Sequence, residues 1–450
     1  MPLHVGLFFN LKEEISLKTL IKNATSNQLL LAGSEDKNVV VNVLIEGDKI
    51  TQISEADISG AFDREIDATG LFLSPGLIDP QVHFREPGME YKEDIASGSR
   101  AAVKGGFTGV VSMPNTSPTA DNAEVVEFMV NKAKEAGLCH VYPTGALSFG
   151  LAGEKLTDFN ELKKAGAVAI TDDGKGVQDP ELFKQALLAA KEADLPVLDH
   201  SEDESLSAQG AIHLGEVSNK HGVKGIDSSS ESAHVERGCM MSEETGAHYH
   251  VLHVSTEASI DAVRKAKAKG VRVTVEVSPH HLLLCDEDIR VKENGELDAN
   301  WKMNPPLRSL KDKLACQQAL LDGTIDAVAT DHAPHSPEEK ALPIEQAPFG
   351  IIGLETAFPL MYSHFVKSNK LSLVGLIDLM SKQAGALFNI ECGRITEGGV
   401  ADLCLFDLEN EFTVTESFFA SKSKNSPFIG DKLNGATSLT MVAGKVVYQR

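Results

Sequence analysis

The stretch between residues 77 and 365 repeats one unit eight times, a short apolar strand followed by an amphipathic helix. The strands are predicted at 77–82, 108–113, 140–146, 167–171, 196–199, 248–254, 271–277 and 325–329. Their apolar residues run consecutively instead of alternating with polar ones, which is typical of parallel strands covered on the outside by helices. Closing eight such strands on themselves buries all of them. The pattern therefore predicts an α/β fold, a (β/α)8 TIM-type barrel.

An open, doubly wound sheet is the alternative arrangement of the same units. That fold predicts a glycine-rich phosphate-binding turn directly after its first strand. Here the first strand instead ends in Asp79-Pro80-Gln81-Val82-His83. The barrel is therefore the better prediction.

Alternating strand patterns flank the barrel on both sides. They occur at 18–21, 39–45 and 49–53, and again at 400–406, 439–442 and 445–448. A chain of 450 residues is too long for one typical core. We therefore predict a small composite β domain from residues 17–75 and 395–450, beside a barrel of residues 76–394. Residues 1–16 show no matching period and are interpreted as an N-terminal extension.

Composition narrows the classes of function. Asp and Glu number 65 against 42 Lys and Arg, for a net charge of -23. A surface of that sign repels nucleic acids and anionic membranes, so we expect a small-molecule substrate. No segment approaches about 20 continuous apolar residues and the N-terminus lacks a signal-peptide pattern, so we expect a cytoplasmic protein without a membrane anchor. Six widely spaced cysteines without a Cys-x-x-Cys pair indicate reduced thiols.

Polar residues close most of the predicted strands, at the end where barrel enzymes build their active sites. They are His83 and Arg85 after strand one, Asn115 after strand two, Asp172 and Asp173 after strand four, His200 after strand five, His253 after strand six, and Asp331, His332 and His335 after strand eight. Each histidine taken singly is expected to be an ordinary hydrogen-bonded residue. Imidazoles together with carboxylates are, however, the ligands that zinc prefers. Three histidines and two carboxylates at corresponding strand ends therefore predict a metal site.

Five runs of residues resemble the bacterial dihydroorotases of the amidohydrolase superfamily. These runs are Asp79-Pro80-Gln81-Val82-His83-Phe84-Arg85-Glu86-Pro87-Gly88, Met113-Pro114-Asn115-Thr116, Asn304-Pro305-Pro306-Leu307-Arg308, Ala329-Thr330-Asp331-His332-Ala333-Pro334-His335 and Pro348-Phe349-Gly350. The resemblance extends from residue 17 to the C-terminus. The run from Arg85 to Gly88 is the most specific to dihydroorotases, whereas the run from Asn304 to Arg308 is shared with allantoinases.

The resemblance implies a set of metal ligands. His83 would be a ligand from the first strand, and Asp173 would be the carboxylate that bridges two ions. His200 and His253 would bind the second ion. Asp331 would be both a ligand and the general base.

The resemblance also implies the contacts to the substrate. Its carboxylate would be held by Arg85, Asn115 and His335, and its pyrimidine ring would contact Asn304, Phe349 and Gly350. Arg85 would offer a forked cation, a geometry that lysine does not reproduce. Such a cation would supply the positive charge that the acidic surface lacks.

One position departs from the family pattern. The first strand of the family normally reads His-x-His, and here Gln81 takes the first place. An amide oxygen is a weaker zinc ligand than an imidazole nitrogen. Gln81 is therefore interpreted either as a weak ligand or as a hydrogen-bond partner of a neighbouring ligand or water. We expect one or two zinc ions per chain, with one site tight.

The implied activity is that of a dihydroorotase, a cyclic amide hydrolase. It would catalyse the reversible, metal-dependent cyclisation of N-carbamoyl-L-aspartate to (S)-dihydroorotate and water in de novo pyrimidine biosynthesis. One alternative is a non-catalytic dihydroorotase-like subunit that has lost its metal and scaffolds aspartate transcarbamoylase, and Gln81 alone favours it. The other is a different cyclic amidohydrolase, an allantoinase or dihydropyrimidinase. Aspartate transcarbamoylase and a second copy of the chain are the protein partners considered.

Overall fold

The computed structural model describes residues 7–8 and 17–450. Its strands are β1 (Leu7–Phe8), β2 (Lys18–Asn27), β3 (Asn38–Glu46), β4 (Lys49–Ser54), β5 (Arg64–Asp67), β6 (Phe72–Pro75), β7 (Leu77–Val82), β8 (Phe107–Ser112), β9 (His140–Pro143), β10 (Gly145–Ala146), β11 (Ile170–Thr171), β12 (Val197–Asp199), β13 (Ile212–His213), β14 (Gly225–Ile226), β15 (Tyr249–Val251), β16 (Val273–Val277), β17 (Ala327–Val328), β18 (Leu403–Asp407), β19 (Phe412–Thr413), β20 (Lys432–Leu433), β21 (Ala436–Val442) and β22 (Lys445–Gln449). Its α-helices are α1 (Ile95–Lys104), α2 (Ala123–Ala136), α3 (Phe159–Ala165), α4 (Pro180–Ala193), α5 (Glu204–Ser207), α6 (Glu216–His221), α7 (Ser229–Thr245), α8 (Glu257–Ala268), α9 (Pro279–Leu283), α10 (Leu310–Leu321), α11 (Pro337–Lys340), α12 (Ala357–Met361), α13 (Leu373–Leu379) and α14 (Lys382–Ala386). Apart from β1, the predicted N-terminal extension lies outside the described residues.

Eight parallel strand positions form the barrel, which confirms the predicted fold. The strands pair in the orders β7-β8-β9 and β10-β11-β12-β15-β16-β17. Only Thr144 separates β9 from β10, so together they make the third strand. A parallel bridge between Val82 and His332 joins the eighth strand position to the first. The polar residues that follow the strands are thereby brought to one end of the barrel.

Side-chain caps begin most of the long helices that surround the barrel. Asp94 accepts a hydrogen bond from the N–H of Ser97 at the start of α1, and Asn122 accepts one from Val125 at the start of α2. Asp179 caps α4, which also has Pro180 at its first position. Such caps satisfy N–H groups that have no partner within the helix. The helices therefore begin at fixed residues, and their apolar faces pack on the strands.

Two parts of the barrel differ in detail from the prediction. The connection after β12 contains α5, β13, α6 and β14 before the predicted helix, which the structure has as α7. Strands β11 and β17 have two residues each instead of the five predicted at 167–171 and 325–329. Beside β17 the N–H of Val275 donates to the carboxylate of Asp326 and not to a backbone carbonyl.

A nine-stranded sheet combines strands from both ends of the chain. Its order is β1-β22-β21-β18-β6-β2-β3-β4, with β5 beside β2. Strand β6 lies between β2 and β18, so the early and late strands share one set of hydrogen bonds. Its core includes Ile21, Val43, Leu73, Leu405 and Met441. This sheet is the β domain that stands beside the barrel.

Helix α14 covers the end of the barrel where the strands begin. The hydroxyl of Ser381 donates to the carbonyl of Gly76 (2.6 Å), and the N–H of Ile78 donates to the carbonyl of Met380 (2.7 Å). Leu387 and Phe388 join the apolar cluster of the barrel interior. The polar residues lie at the opposite end of the barrel, where the strands finish. Among the described residues no helix has the length and apolar character needed to cross a membrane.

The composite sheet makes a testable prediction at Gly444, in the turn between β21 and β22. Gly444 has φ 74°, and a Cβ there would lie 1.8 Å from the carbonyl oxygen of Gly47. Gly444→Ala should therefore lower the free energy of unfolding by about 3 kcal/mol. Gly398 is the control, because it has φ 83° and nothing within 4 Å of its Cβ position. Gly398→Ala should cost only about 1 kcal/mol of backbone strain. Equal losses in thermal unfolding would contradict the contact between the two chain ends.

Candidate active site

One cavity of about 320 Å³ lies at the end of the barrel where the strands finish. Apart from Gln81, all the predicted site residues line it: His83, Arg85, Asn115, Asp173, His200, His253, Asn304, Asp331, His335, Phe349 and Gly350. They come from distant parts of the chain, and the closed sheet brings them together. The cavity is the candidate active site.

His83 stands between an amide and two carboxylates. Its Nδ1 lies 2.9 Å from Oδ1 of Asn115. An amide oxygen only accepts hydrogen bonds, so Nδ1 is the donor. The other nitrogen, Nε2, lies 3.1 Å from Oδ1 of Asp331 and 3.2 Å from Oδ2 of Asp173. In the neutral ring, therefore, a nitrogen lone pair faces two carboxylates.

Asp173, His200 and His253 form a buried cluster whose ligand atoms lie within 4.8 Å of one another. Nδ1 of His200 is 3.0 Å from Nε2 of His253, and both face Oδ1 of Asp173, at 3.5 and 3.8 Å. Burial would raise the pKa of Asp173, but the hydrogen bonds from the two imidazoles and the nearby His83 hold it well below its usual value. The cluster thus keeps a negative charge in a buried place.

The same cluster favours a positive charge beside that carboxylate. Burial opposes protonation of His200, yet hydrogen bonds to Asp173 and Glu202 raise its pKa to about 10. Oδ2 of Asp173 has no hydrogen-bond partner within the described part of the chain, although it is fully shielded from solvent. A divalent cation would supply this positive charge in place of the proton on His200, and two imidazole nitrogens with an unpaired carboxylate oxygen are a suitable set of ligands for it. The residues present therefore fit a metal ion.

Gln81 is fully buried and does not belong to the residues that line the cavity. Neither its amide nitrogen nor its amide oxygen has a hydrogen-bond partner among residues 7–8 and 17–450. Leaving a buried amide unpaired costs about 1–3 kcal/mol for each group. The side chain is thus buried without a hydrogen-bond partner in the described part of the chain.

Positive charge lines one wall of the cavity. Arg85 is buried, and although burial lowers the pKa of its guanidinium to about 10, it stays protonated at neutral pH. Its Nε donates to the carbonyl of Pro334 (3.3 Å), and its Nη2 lies 3.3 Å from Nε2 of His335. A small anion in the cavity would therefore meet a guanidinium that is already fixed in place.

His335 stays neutral beside that guanidinium. Burial, Arg85 and Lys92 all lower the pKa of His335 far below its ordinary value. Nζ of Lys92 donates to Nδ1 (3.3 Å), so the proton of the ring sits on Nε2 and is donated to the carbonyl of Phe349 (2.7 Å). These contacts fix the orientation of the imidazole.

Two polar residues of the site were missed in the sequence. Oε2 of Glu202 accepts hydrogen bonds from Nε2 of His200 (3.1 Å) and from Nδ2 of Asn304 (2.7 Å). Glu202 follows His200 by two residues, so a search for carboxylates near strand ends could have found it. Lys92 follows Arg85 by seven residues in a loop. No pattern in the sequence points to it.

Comparison with known proteins identifies the family. Residues 70–259 match the family model described as dihydro-orotase-like. A dihydroorotase from Brevibacillus brevis is 50% identical over 410 residues, covering 91% of this chain and 95% of the relative. A second, from Anoxybacillus flavithermus, is 46% identical over 93% of this chain and 97% of its own length. The chain belongs to the dihydroorotase family.

Solved structures of related enzymes share the fold. The L-hydantoinase (dihydropyrimidinase) from Arthrobacter aurescens superposes with a TM-score of 0.83 at 24% identity, covering 96% of both chains. The D-hydantoinase (dihydropyrimidinase) from Thermus sp. gives 0.80 at 27% identity, covering 95% of this chain and 94% of the other. The barrel and its β domain are thus an architecture that dihydroorotases and these cyclic amidohydrolases have in common.

Gln81 makes a testable prediction about metal content. In the native protein we expect one zinc ion to be bound firmly by Asp173, His200 and His253. A second zinc ion beside His83 and Asp331 should be bound only weakly. After dialysis we therefore expect closer to one ion than two per chain. Gln81→His should raise the zinc occupancy of the position beside His83 and Asp331, because imidazole is a stronger zinc ligand than an amide oxygen. The measurement is zinc per chain by atomic emission.

Gln185→His is the matched control, because it adds a histidine on the exposed face of α4. It should leave the zinc content at the native value. Two firmly held ions in the native protein would contradict the unequal sites.

Proposed function

We propose that the chain is a dihydroorotase. It interconverts N-carbamoyl-L-aspartate and (S)-dihydroorotate with loss or gain of water, a step of pyrimidine biosynthesis. The observation that carries the proposal is that one cavity combines the buried cluster of Asp173, His200 and His253 with the fixed guanidinium of Arg85. Dihydroorotate has both a cyclic amide to be opened and a ring carboxylate to be bound. The two halves of the cavity match these two groups.

The donor set supports zinc as the metal. Asp173, His200 and His253 would hold one ion, and His83 and Asp331 would contribute to a second position beside them. When bound, zinc polarises a carbonyl and lowers the pKa of water from about 15.7 to about 7. Glu202 accepts from Nε2 of His200. This leaves Nδ1 of the same ring for the metal, an arrangement that fixes the orientation of a histidine ligand.

Asp331 is the group proposed to carry the proton. It is buried at the base of the cavity with its Oδ1 close to His83. In hydrolysis its carboxylate would accept the proton of the attacking water and return it to the ring nitrogen as the amide opens. In cyclisation the same carboxylate would accept the proton of the carbamoyl nitrogen and return it to the departing water.

Arg85 is proposed to orient the substrate through its carboxylate. The guanidinium offers two parallel donors to a carboxylate, a geometry that adds specificity as well as attraction. Asn115 and His335 stand next to it on the cavity wall, and Asn304, Phe349 and Gly350 complete the place for the ring. Allantoin and dihydrouracil lack the ring carboxylate, so they would leave the buried cation of Arg85 unpaired.

A substrate panel tests the proposal and its alternatives. The purified protein should hydrolyse dihydroorotate and form it from N-carbamoyl-aspartate. Its kcat/KM for dihydrouracil, hydantoin and allantoin should be lower by at least about 100-fold, because an unpaired buried charge disfavours them. Preference for one of these three would favour another cyclic amidohydrolase. Absence of all turnover together with absence of zinc would favour a scaffold subunit.

Three finer expectations belong to the same proposal. They are a cytoplasmic location, a homodimer, and association with aspartate transcarbamoylase. The support for them is the family resemblance and the acidic surface. Sedimentation of the protein alone and mixed with that enzyme measures the last two.

Asp331 makes the next testable prediction. Asp331→Asn should lower kcat by at least about 100-fold while some zinc remains bound, because an amide does not accept the proton of the water. Turnover and zinc content are measured on the same preparation. Asp286→Asn is the matched control, since Asp286 is also buried beside a histidine, 2.9 Å from Nδ1 of His213, but outside the cavity. Near-native turnover by zinc-loaded Asp331→Asn would remove Asp331 from the proton path.

Arg85 makes a prediction about binding. Arg85→Lys loses one prong of the forked contact, a loss of about 1–3 kcal/mol. The KM for dihydroorotate should rise by about 10-fold to 100-fold, with the melting temperature nearly unchanged. Arg308→Lys is the control, because Arg308 is also buried but contacts Glu231, Ser255 and Ile226 instead of lining the cavity. An unchanged KM for Arg85→Lys would exclude Arg85 from substrate binding.

A further inference from the structure

A segment near the C-terminus crosses the loops that lead to the active site. We call residues 419–428 the C-terminal crossover. The hydroxyl of Ser421 contacts the buried Glu93, and that of Ser423 donates to the carbonyl of Lys92 (2.8 Å). The crossover is therefore attached to the loop that also supplies Arg85. It is about 100 residues later in the chain than the last strand of the barrel.

Asn425 is the residue of the crossover that reaches furthest into these loops. Its side chain is buried, with 3% of the residue exposed. Oδ1 accepts the N–H of His335 (3.2 Å), and Nδ2 donates to the carbonyls of Ala333 and Gly350 (3.0 Å each). One amide thus satisfies an N–H and two carbonyls on two separate loops.

Those two loops carry the proposed contacts to the substrate. His335 lies on the first, and Phe349 and Gly350 lie on the second. Lys340 supports the second loop from the other side, because its Nζ donates to the carbonyls of Pro348 (3.0 Å) and Gly350 (2.9 Å). The carbonyl of Gly350 is therefore shared between Lys340 and Asn425. The two loops are also joined directly, because the N–H of Ala333 donates to the carbonyl of Ile351 (2.9 Å) and the ring of His335 donates to the carbonyl of Phe349. Asn425 adds the bonds of its side chain to these links, and its own carbonyl accepts the N–H of Ile352 (3.0 Å).

We propose that Asn425 is a positioning residue for substrate binding. Together with the backbone bond from Ala333 to Ile351, it sets the separation of the loop of His335 and the loop of Phe349 and Gly350, and it acts on the substrate only through them. The inference rests on the proposed function, since it assigns the two loops to the substrate. It also explains why Asn425, outside the barrel, is buried against these two loops.

Asn425→Asp is the variant that tests this role. The aspartate keeps the oxygen that accepts from His335, but its second carboxylate oxygen takes the place of Nδ2 and faces the carbonyls of Ala333 and Gly350 without a hydrogen to donate. The KM for dihydroorotate should rise about tenfold, the equivalent of about 1.4 kcal/mol, while kcat changes by less than about threefold. Zinc content should stay native, because the metal cluster is not touched. Asn425→Ala should shift KM in the same direction without adding a charge.

Asn434→Asp is the matched control. Asn434 is also a buried asparagine of the C-terminal region, and its Nδ2 donates to the carbonyl of Glu409 (2.8 Å) far from the cavity. It should leave both KM and kcat unchanged. An equal rise of KM in Asn434→Asp, or a native KM in both Asn425 variants, would overturn the proposal.

Amide hydrogen exchange separates this inference from the proposed function. In Asn425→Asp the amides of residues 333, 335, 336 and 349–352 should exchange at least about tenfold faster than in the native protein, and those of the β domain should not. If the native protein fails to turn over dihydroorotate, the proposed function is wrong, but faster exchange still supports the link between the loops. Native exchange in both segments contradicts the link whatever the substrate is.

Discussion

The buried carboxylate of Asp173 is the group on which the arrangement of the site depends. Burying an ion away from water is costly unless partners compensate. Here the compensation comes from His83, His200 and His253, which follow three different strands. The closed parallel sheet places those strand ends around one point. The barrel therefore brings the three histidines to the carboxylate of Asp173, whose burial would otherwise be unfavourable. A metal ion at that point would complete the compensation, since one oxygen of the carboxylate has no partner among the described residues.

Three residues at the same end of the barrel have a strained backbone. Arg85, His253 and Asp331 have φ values of 60°, 33° and 48°, in the left-handed region that side chains with a Cβ disfavour. Each such residue costs about 1–3 kcal/mol and persists only where its surroundings hold it. The sharp turn of the chain after a strand aims these side chains into the cavity instead of along the sheet. In return, the side chains of His253, Asp331 and Arg85 are held in fixed orientations in the cavity.

The sequence predicted the barrel and the residues of the cavity because both follow local rules. Consecutive apolar residues indicated the strands, and His83, Asp173, His200 and His253 stood where those strands end. Glu202 stands only two residues after His200, so the same rule could have included it, although its bond to Asn304, about 100 residues away, is a tertiary contact. Asn425 did not follow from local rules, because its partners lie on two loops that only tertiary structure brings beside it. The extra elements between β12 and α7 were missed because they are strands of two residues and helices of four and six.

Zinc-edge anomalous diffraction from crystals of the native protein tests the central claim most directly. The account predicts a strong peak within about 2.0–2.2 Å of a carboxylate oxygen of Asp173, Nδ1 of His200 and Nε2 of His253. A weaker peak, or none, should lie beside His83 and Asp331. A protein saturated with zinc that shows no peak at the Asp173 cluster, or that binds its ion elsewhere, would contradict the account.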